Sequence, residues 1–293
     1  YAYSGLAAAY AYATLSLTLT TRRIFILGPS HTIYLSRCAL TSHTHYDTPM
    51  GPLAIDTSTV NDLHSTRKFD TMTIETDERE HSIEMHLPYI HFLISRTFKS
   101  PESYPSIVPI LVGDTSPSYE YHYGRIFAPY LADTTNVFVI SSDFCHWGRR
   151  FDYTYYLPEG SSEEDGYDLK TNHPNPTRPP IYQSIASLDR FSMDAIESGS
   201  YSTFLENLNC TRNTVCGRHP IGIAMTMMET LEEREKSRCE GELDSTGTKI
   251  YRSDIKQSET RQRNFQFLRY ERSSDVMDIS DSSVSYASAY ATI

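Results

Sequence analysis

Apolar residues in this chain gather into short unbroken runs, and between the runs they recur at helical spacing. The runs "RRIFILG" (22–28), "SIVPILVG" (106–113) and "NVFVISSD" (136–143) have the form of buried strands that lead into turns. Pro109 cannot donate to a ladder, so the second run is expected at an edge or a bulge. Near the end, "NFQFLRY" (264–270) and "SVSYASAYA" (283–291) alternate as half-buried strands do.

Helical patterns separate these strands. The Ala-rich segment 5–15 predicts a short helix. Residues 77–98 predict a helix opened by Asp77 and Glu80, three apart in a variant of the capping box, and kinked or divided at Pro88. Segment 181–199 places Ile181, Ile185, Leu188 and Ile196 on one face and stops at Gly199. Segment 219–235 carries Pro220 in its first turn and a Met-rich apolar first half. Strands alternating with helices give an α/β fold, a sheet covered on both faces. Residues 157–180 and 236–260 are polar, with almost nothing to bury, and are expected to be exposed insertion loops in one domain spanning 1–293.

Composition narrows the function classes. Acidic residues outnumber basic ones 37 to 26, for a net charge of −11, and no basic stripe is present; a nucleic-acid surface is disfavoured. No apolar run approaches the roughly 18 to 20 residues a membrane helix needs, so no membrane partner is expected. Five widely spaced cysteines (Cys38, Cys145, Cys210, Cys216 and Cys239) read as reduced thiols of a cytoplasmic or nuclear protein.

Candidate chemistry lies where the predicted strands end, because open α/β sheets bind ligands at their carboxyl edge. The loops are Gly28-Pro29-Ser30-His31, Gly113-Asp114-Thr115 and Ser141 to Gly148, joined by the turn Cys216-Gly217-Arg218-His219 before a helix. His31 is either a ligand or a turn cap. His81 and His86, five apart, do not share a helix face, so at most one enters a given pocket; Glu84, one turn from His81, is placed to orient it. His43, His45, His64, His91, His122 and His173 read as surface or turn residues.

Cys216 faces the positive end of the following helix, with Arg218 and His219 adding to that field, which suits a nucleophile or metal ligand; a buried inert thiol fits the spacing equally well. Cys145, beside Phe144 and Trp147, reads as a packed small hydrophobe. Asp143 and His146 form either an acid/base pair or a hydrogen-bonded corner. Taken together these residues give a candidate His/His/Cys metal site with an Asp/His pair beside it. A Cys/His hydrolase built on Cys216 and His146 is a further alternative.

The blocks "RRIFILGPSHTIYLSRCAL", "DEREHSIEMHLPY", "ISSDFCHWGRRFDYTYY", "CGRHPIG" and "DSSVSYA" resemble the Memo family, named for mediating receptor-driven cell motility in animals, in order and over nearly the whole chain. The resemblance implies a three-layer α/β/α fold with a central mixed sheet, similar to the class III extradiol dioxygenases, non-haem iron enzymes that open catechol rings. It also implies a metal pocket of His31, His81 and Cys216 lined by Asp143 and His146, copper or iron as the metal, and redox or signalling activity. Two imidazoles and a thiolate suit copper or iron, and zinc is acceptable. Cysteine in place of the dioxygenase carboxylate argues against ring cleavage. A peptide-binding adaptor role is the alternative, with Arg149, Arg150 and Arg218 as contacts for a phosphotyrosine. Family members begin with a further strand ending in a Pro-His-Ala-Gly-Tyr-like turn, so this sequence is expected to be N-terminally truncated; its polar insertions suit a fungal or other divergent eukaryotic member.

Overall fold

The three apolar runs pair with one another as the parallel heart of a five-stranded sheet. The computed structural model describes residues 1–170, 174–240 and 263–293, apart from the side chains of 238–240. His173, the Cys239 side chain and residues 241–260 of the second polar segment lie outside the described residues.

In chain order the strands of the first half are β1 (Arg23–Pro29), β2 (Cys38–Leu40), β3 (His45–Thr48), β4 (Gly51–Ala54), β5 (Asp70–Thr71), β6 (Ser106–Val112) and β7 (Asn136–Ile140). They are followed by β8 (His146–Trp147), β9 (Tyr155–Tyr156), β10 (Tyr167–Asp168), β11 (Gln266–Arg272) and β12 (Ser283–Tyr290). The helices are α1 (Gly5–Thr14), α2 (Thr57–Ser65), α3 (Ile74–Arg79), α4 (His81–Glu84) and α5 (Leu87–Thr97). Beyond them come α6 (Pro117–Ala132), α7 (Ile181–Glu197), α8 (Tyr201–Thr211) and α9 (Arg218–Glu240).

The central sheet runs β5-β2-β6-β1-β7. β1 is parallel to both β6 and β7, whereas β2 is antiparallel to β6, so the sheet is mixed. Ile24, Phe25, Ile26 and Leu27 are all fully buried, as a strand covered on both faces requires. Phe25 stacks on Phe138 and meets Phe127 of α6 edge-on, while Gly28, on the opposite face, abuts α4. The core thus takes Ile83, Leu87, Ile90 and Ile94 from one layer and Tyr123, Phe127, Ile223 and Met227 from the other. A separate sheet, β11-β12-β8, carries the two alternating segments predicted near the end of the chain. Among the described residues no helix is long and apolar enough to cross a membrane.

Several local expectations change. Pro109 sits in an inner strand, paired with Ile26, but the ladder from β2 ends at Ile110, so its missing N–H falls where that neighbour stops. Segment 77–98 is three pieces rather than one kinked helix, and Pro88 lies in the first turn of α5, where it disturbs nothing. No capping box joins Asp77 to Glu80: Thr73 caps α3 and Glu80 caps α4. Residues 157–170 and 174–180 are not a bare loop, since Leu157 and Leu169 are buried and Tyr155 donates to the Glu163 carbonyl at 2.9 Å. The tyrosine run 153–156 feeds a cluster with Trp147, Ile181 and Leu188, each buried phenol finding a carbonyl. His91 is buried rather than at the surface, bonded to Thr48.

Two predictions follow from the packing. At the α6–α9 contact a Cβ on Gly124 would lie 2.4 Å from Thr226 Oγ1 and 2.8 Å from its backbone, so Gly124→Ala is expected to destabilise the fold by about 1–3 kcal/mol in urea unfolding. His86 is half-buried, with Tyr12 Oη 2.7 Å from its Nδ1, and desolvation pushes the imidazole down to about 4. Its contribution to stability is whole above the unfolded value of 6.5 and is lost as pH falls toward about 4, because the unfolded chain takes up the proton first. Thermal melts across that window should show a smaller acid loss in His86→Phe than in the parent; equal losses would contradict the assignment.

Candidate functional site

Residues predicted from separate strand ends meet above the carboxyl edge of the central sheet. β1 ends at Pro29, and Ser30 N donates to the Val112 carbonyl at 2.8 Å, which directs the chain out toward His31. α4 descends onto β1 at Gly28, where an added Cβ would lie 2.6 Å from Ser82 Oγ and 2.9 Å from Ile83 Cγ1. Only glycine permits that approach, and it sets the His81 ring against the His31 ring, stacked with centroids 5.0 Å apart.

Between these two histidines sits Glu80, a residue absent from the site expected from sequence. Its side chain is 2% exposed. One oxygen accepts from His81 N at 2.9 Å and Ser82 N at 3.0 Å. The other accepts from His31 N at 2.8 Å, Thr32 N at 3.2 Å and Thr32 Oγ1 at 3.1 Å. Burial disfavours the charge, yet the hydrogen bonds from His31 and Ser82 outweigh it and hold the carboxyl well below its usual range. Nδ1 of His31 and Nδ1 of His81 lie 3.7 and 3.6 Å from Oε1. Ligand atoms of His31, Glu80 and His81 lie within 4.8 Å of one another. Glu84, expected to orient His81, is exposed, and the carboxylate beside His81 is Glu80.

Cys216 reaches the same place from the other side. Ser141 N still bonds the Leu27 carbonyl, after which Asp143 N donates to Cys216 Sγ at 3.1 Å and Gly217 N to Ser142 Oγ at 3.0 Å. A Cβ on Gly217 would lie 2.3 Å from the Ser141 carbonyl, so a glycine is required for this contact. The neighbouring Cys216 side chain, together with Glu80, raises His31 to about 10 against the opposing effect of burial, but its Sγ is not among the ligand atoms that lie within 4.8 Å of one another. Arg218 and His219 do not turn toward the thiol as expected. Arg218 pairs with Asp114 at 3.1 Å, and His219 is spanned between Asp114 at 2.9 Å and Glu120 at 2.7 Å.

The Asp143/His146 pair is loose, with Nε2 4.0 Å from Oδ2. His146 Nδ1 lies 2.9 Å from the Phe144 carbonyl and 3.1 Å from that of Thr214; carbonyls only accept, so Nδ1 carries the proton and Nε2 faces Asp143. Enclosure raises the Asp143 carboxyl above its usual range, while the neighbouring charges of His146, His31 and His81 pull it down. Phe151 meets His146 edge-on, and Arg150 lies over Phe151. Cys145 is fully buried among Trp147, Tyr153 and Leu188, and burial pushes its thiol far up. It is packing, and no Cys145/His146 nucleophile is assembled. His86 belongs to the α1–α5 contact and not to the pocket. Glu80 was legible only as a capping residue, because its second set of partners, His31 and Thr32, lies 49 and 48 positions away.

The matches to known proteins cover nearly the whole chain. The Memo-like protein family matches residues 1–290. Protein MEMO1 of Xenopus tropicalis is 42% identical over 287 residues, covering 98% of this chain and 80% of that protein. Protein MEMO1 of Homo sapiens is 41% identical over 296 residues, covering 100% and 82%. A MEMO1 family protein of Schizosaccharomyces pombe is 36% identical, covering 99% of this chain and 84% of that protein. With a match that runs through every strand end described above, the chain belongs to the Memo-like protein family.

Proposed function

We propose that this protein binds a single redox-active metal ion, copper or non-haem iron, through His31, His81 and Cys216, and that this pocket serves a redox or signalling role. The observation that carries the reading is the stacking of two imidazoles from distant segments, with the Cys216 thiol near enough to His31 to raise its pKa. Two imidazole nitrogens and one thiolate form a borderline-soft donor set that suits copper or iron, accepts zinc, and suits magnesium or calcium poorly. A bound copper or iron would supply one-electron chemistry. The chain's own contribution is to hold His31 and His81 side by side, to fix the sulfur by the amide of Asp143, and to keep a carboxyl and an imidazole, Asp143 and His146, on the pocket wall as proton-holding groups.

Neither alternative gains as much support. Ring cleavage needs a carboxylate free to bind alongside two histidines, and Glu80 already accepts five hydrogen bonds. A phosphotyrosine adaptor keeps Arg149 and Arg150, but Arg218 is engaged by Asp114. Cys38, Cys145, Cys210 and Cys216 are free thiols, which accords with a reducing compartment such as the cytoplasm or nucleus.

Metal analysis of protein purified without chelators, followed by Cu(I) and Fe(II) titration, tests the reading. Stoichiometric copper or iron is expected in the parent and in Cys145→Ser, with affinity reduced at least about tenfold in Cys216→Ser. Unchanged affinity in Cys216→Ser would sink the ligand set.

A further inference from the structure

We propose that the groove between α1 and α5 binds a small amphipathic organic cation, an aromatic or aliphatic body that ends in an ammonium group. The inference is independent of the metal-binding reading and uses none of its residues.

α1 carries no charged residue anywhere in Gly5–Thr14. Ala7 and Tyr12 are buried, while Leu6, Ala9, Tyr10 and Ala13, three and four apart, are exposed. A surface helix ordinarily turns polar residues outward, so this bare apolar face calls for an occupant. Ala9 and Ala13 are short, which leaves a trough of about 770 Å³ beside α5. Small-molecule sites span roughly 300–1,000 Å³, and a free small molecule is the occupant that fits.

The walls are aromatic. Tyr12 stacks on Tyr89 with centroids 4.8 Å apart, Tyr1 tilts against Tyr89 at 6.0 Å, and Phe92 stands half exposed on the α5 side. The hydroxyls of Tyr12 and Tyr89 are engaged by His86 Nδ1 and the Gly5 carbonyl, so these tyrosines offer ring surface rather than hydrogen bonds.

Charge decides the class of ligand. The charged side chains of the lining are Asp47, from the β3–β4 hairpin, and Glu84, at the end of α4. Both are exposed, and neither forms an ion pair among the described residues. Burial and the Glu84 charge together hold the Tyr1 phenol above its ordinary value, which places that charge against the aromatic wall. Arg96 lies over the Phe92 ring at 5.5 Å, outside the lining, and pairs with neither carboxylate. Ring faces and unpaired carboxylates attract a cation together, and they repel an anion. A second copy of this chain, at net charge −11, is disfavoured as the occupant for the same reason.

The test titrates the full chain by calorimetry with phenylbutyltrimethylammonium, the neutral phenylbutyl alcohol and the anion phenylpentanoate. The ammonium should bind at a single site, at least about tenfold tighter than the alcohol, with no detectable binding of the anion. Glu84→Gln and Asp47→Asn, at exposed positions, should each weaken the ammonium about 3- to 10-fold and leave the alcohol unchanged. Ala9→Arg puts a competing cation into the trough from an exposed site and should abolish ammonium binding. Equal affinity for ammonium and alcohol, or carboxamide variants that bind the ammonium as the parent does, reduces the groove to an unselective apolar surface and overturns the proposal. Binding that survives Ala9→Arg lies elsewhere and also overturns it, as does a folded parent that binds none of the three.

Discussion

A buried, ionised carboxylate at the junction of β1 and α4 is the constraint on which the pocket depends. Taking a charge out of water is costly unless donors replace the water, and Glu80 finds five within the protein. Four of those donors are backbone amides and the fifth is the Thr32 hydroxyl, drawn from two segments far apart in sequence. Gly28 makes the approach sterically possible, and Glu80 makes it specific. The aliphatic contacts of Ile83 beneath could be made by many side chains, but they would not fix which histidine faces which.

The same device recurs at the other strand ends. Asp189, fully buried in α7, accepts from Cys145 N at 3.1 Å, Asn213 Nδ2 at 3.1 Å and Tyr270 Oη at 2.8 Å, joining the loop after β7 to the turn before Cys216 and to β11. Glu120 in α6 accepts from Tyr201 Oη at 2.5 Å and bonds His219, anchoring the first turn of α9. Asp77 receives the hydroxyls of Thr41 and Tyr46. Part of the acidic excess is therefore spent inside, as staples between loops whose own apolar content is too small to place them. The Glu80 and Glu120 staples bind the loops that leave the carboxyl ends of β1 and β6, where regular ladders stop.

Prolines and polar stretches show how context overrides local signals. Pro109 reads as an edge residue, yet it lies in an inner strand because the neighbouring ladder is only three residues long. Residues 157–170 look empty, yet Leu157 and Leu169 close the Trp147 cluster. α6 went unseen because its sequence mixes Gly124, Pro129 and a buried Glu120 with tyrosines, and its helical character comes from packing on α9.

Sequence alone determined β1, β6, β7, β11 and β12 and the helices α1, α5, α7 and α9, since an apolar run that ends in a turn reports its own burial. It also placed His31, Asp143 and His146 at strand ends and Cys216 in the turn before a helix, because the carboxyl edge of an α/β sheet is where such residues face a crevice. What only the tertiary structure decided is which side chains meet. His81 stands against His31 because Gly28 and Glu80 bring α4 down on β1, and Cys216 lies against the loop after β7 because Asp143 N and Ser142 Oγ catch its turn. His31 and His81 are 50 positions apart and Gly217 and Ser142 are 75 apart, and local pattern carries no record of contacts made across such distances.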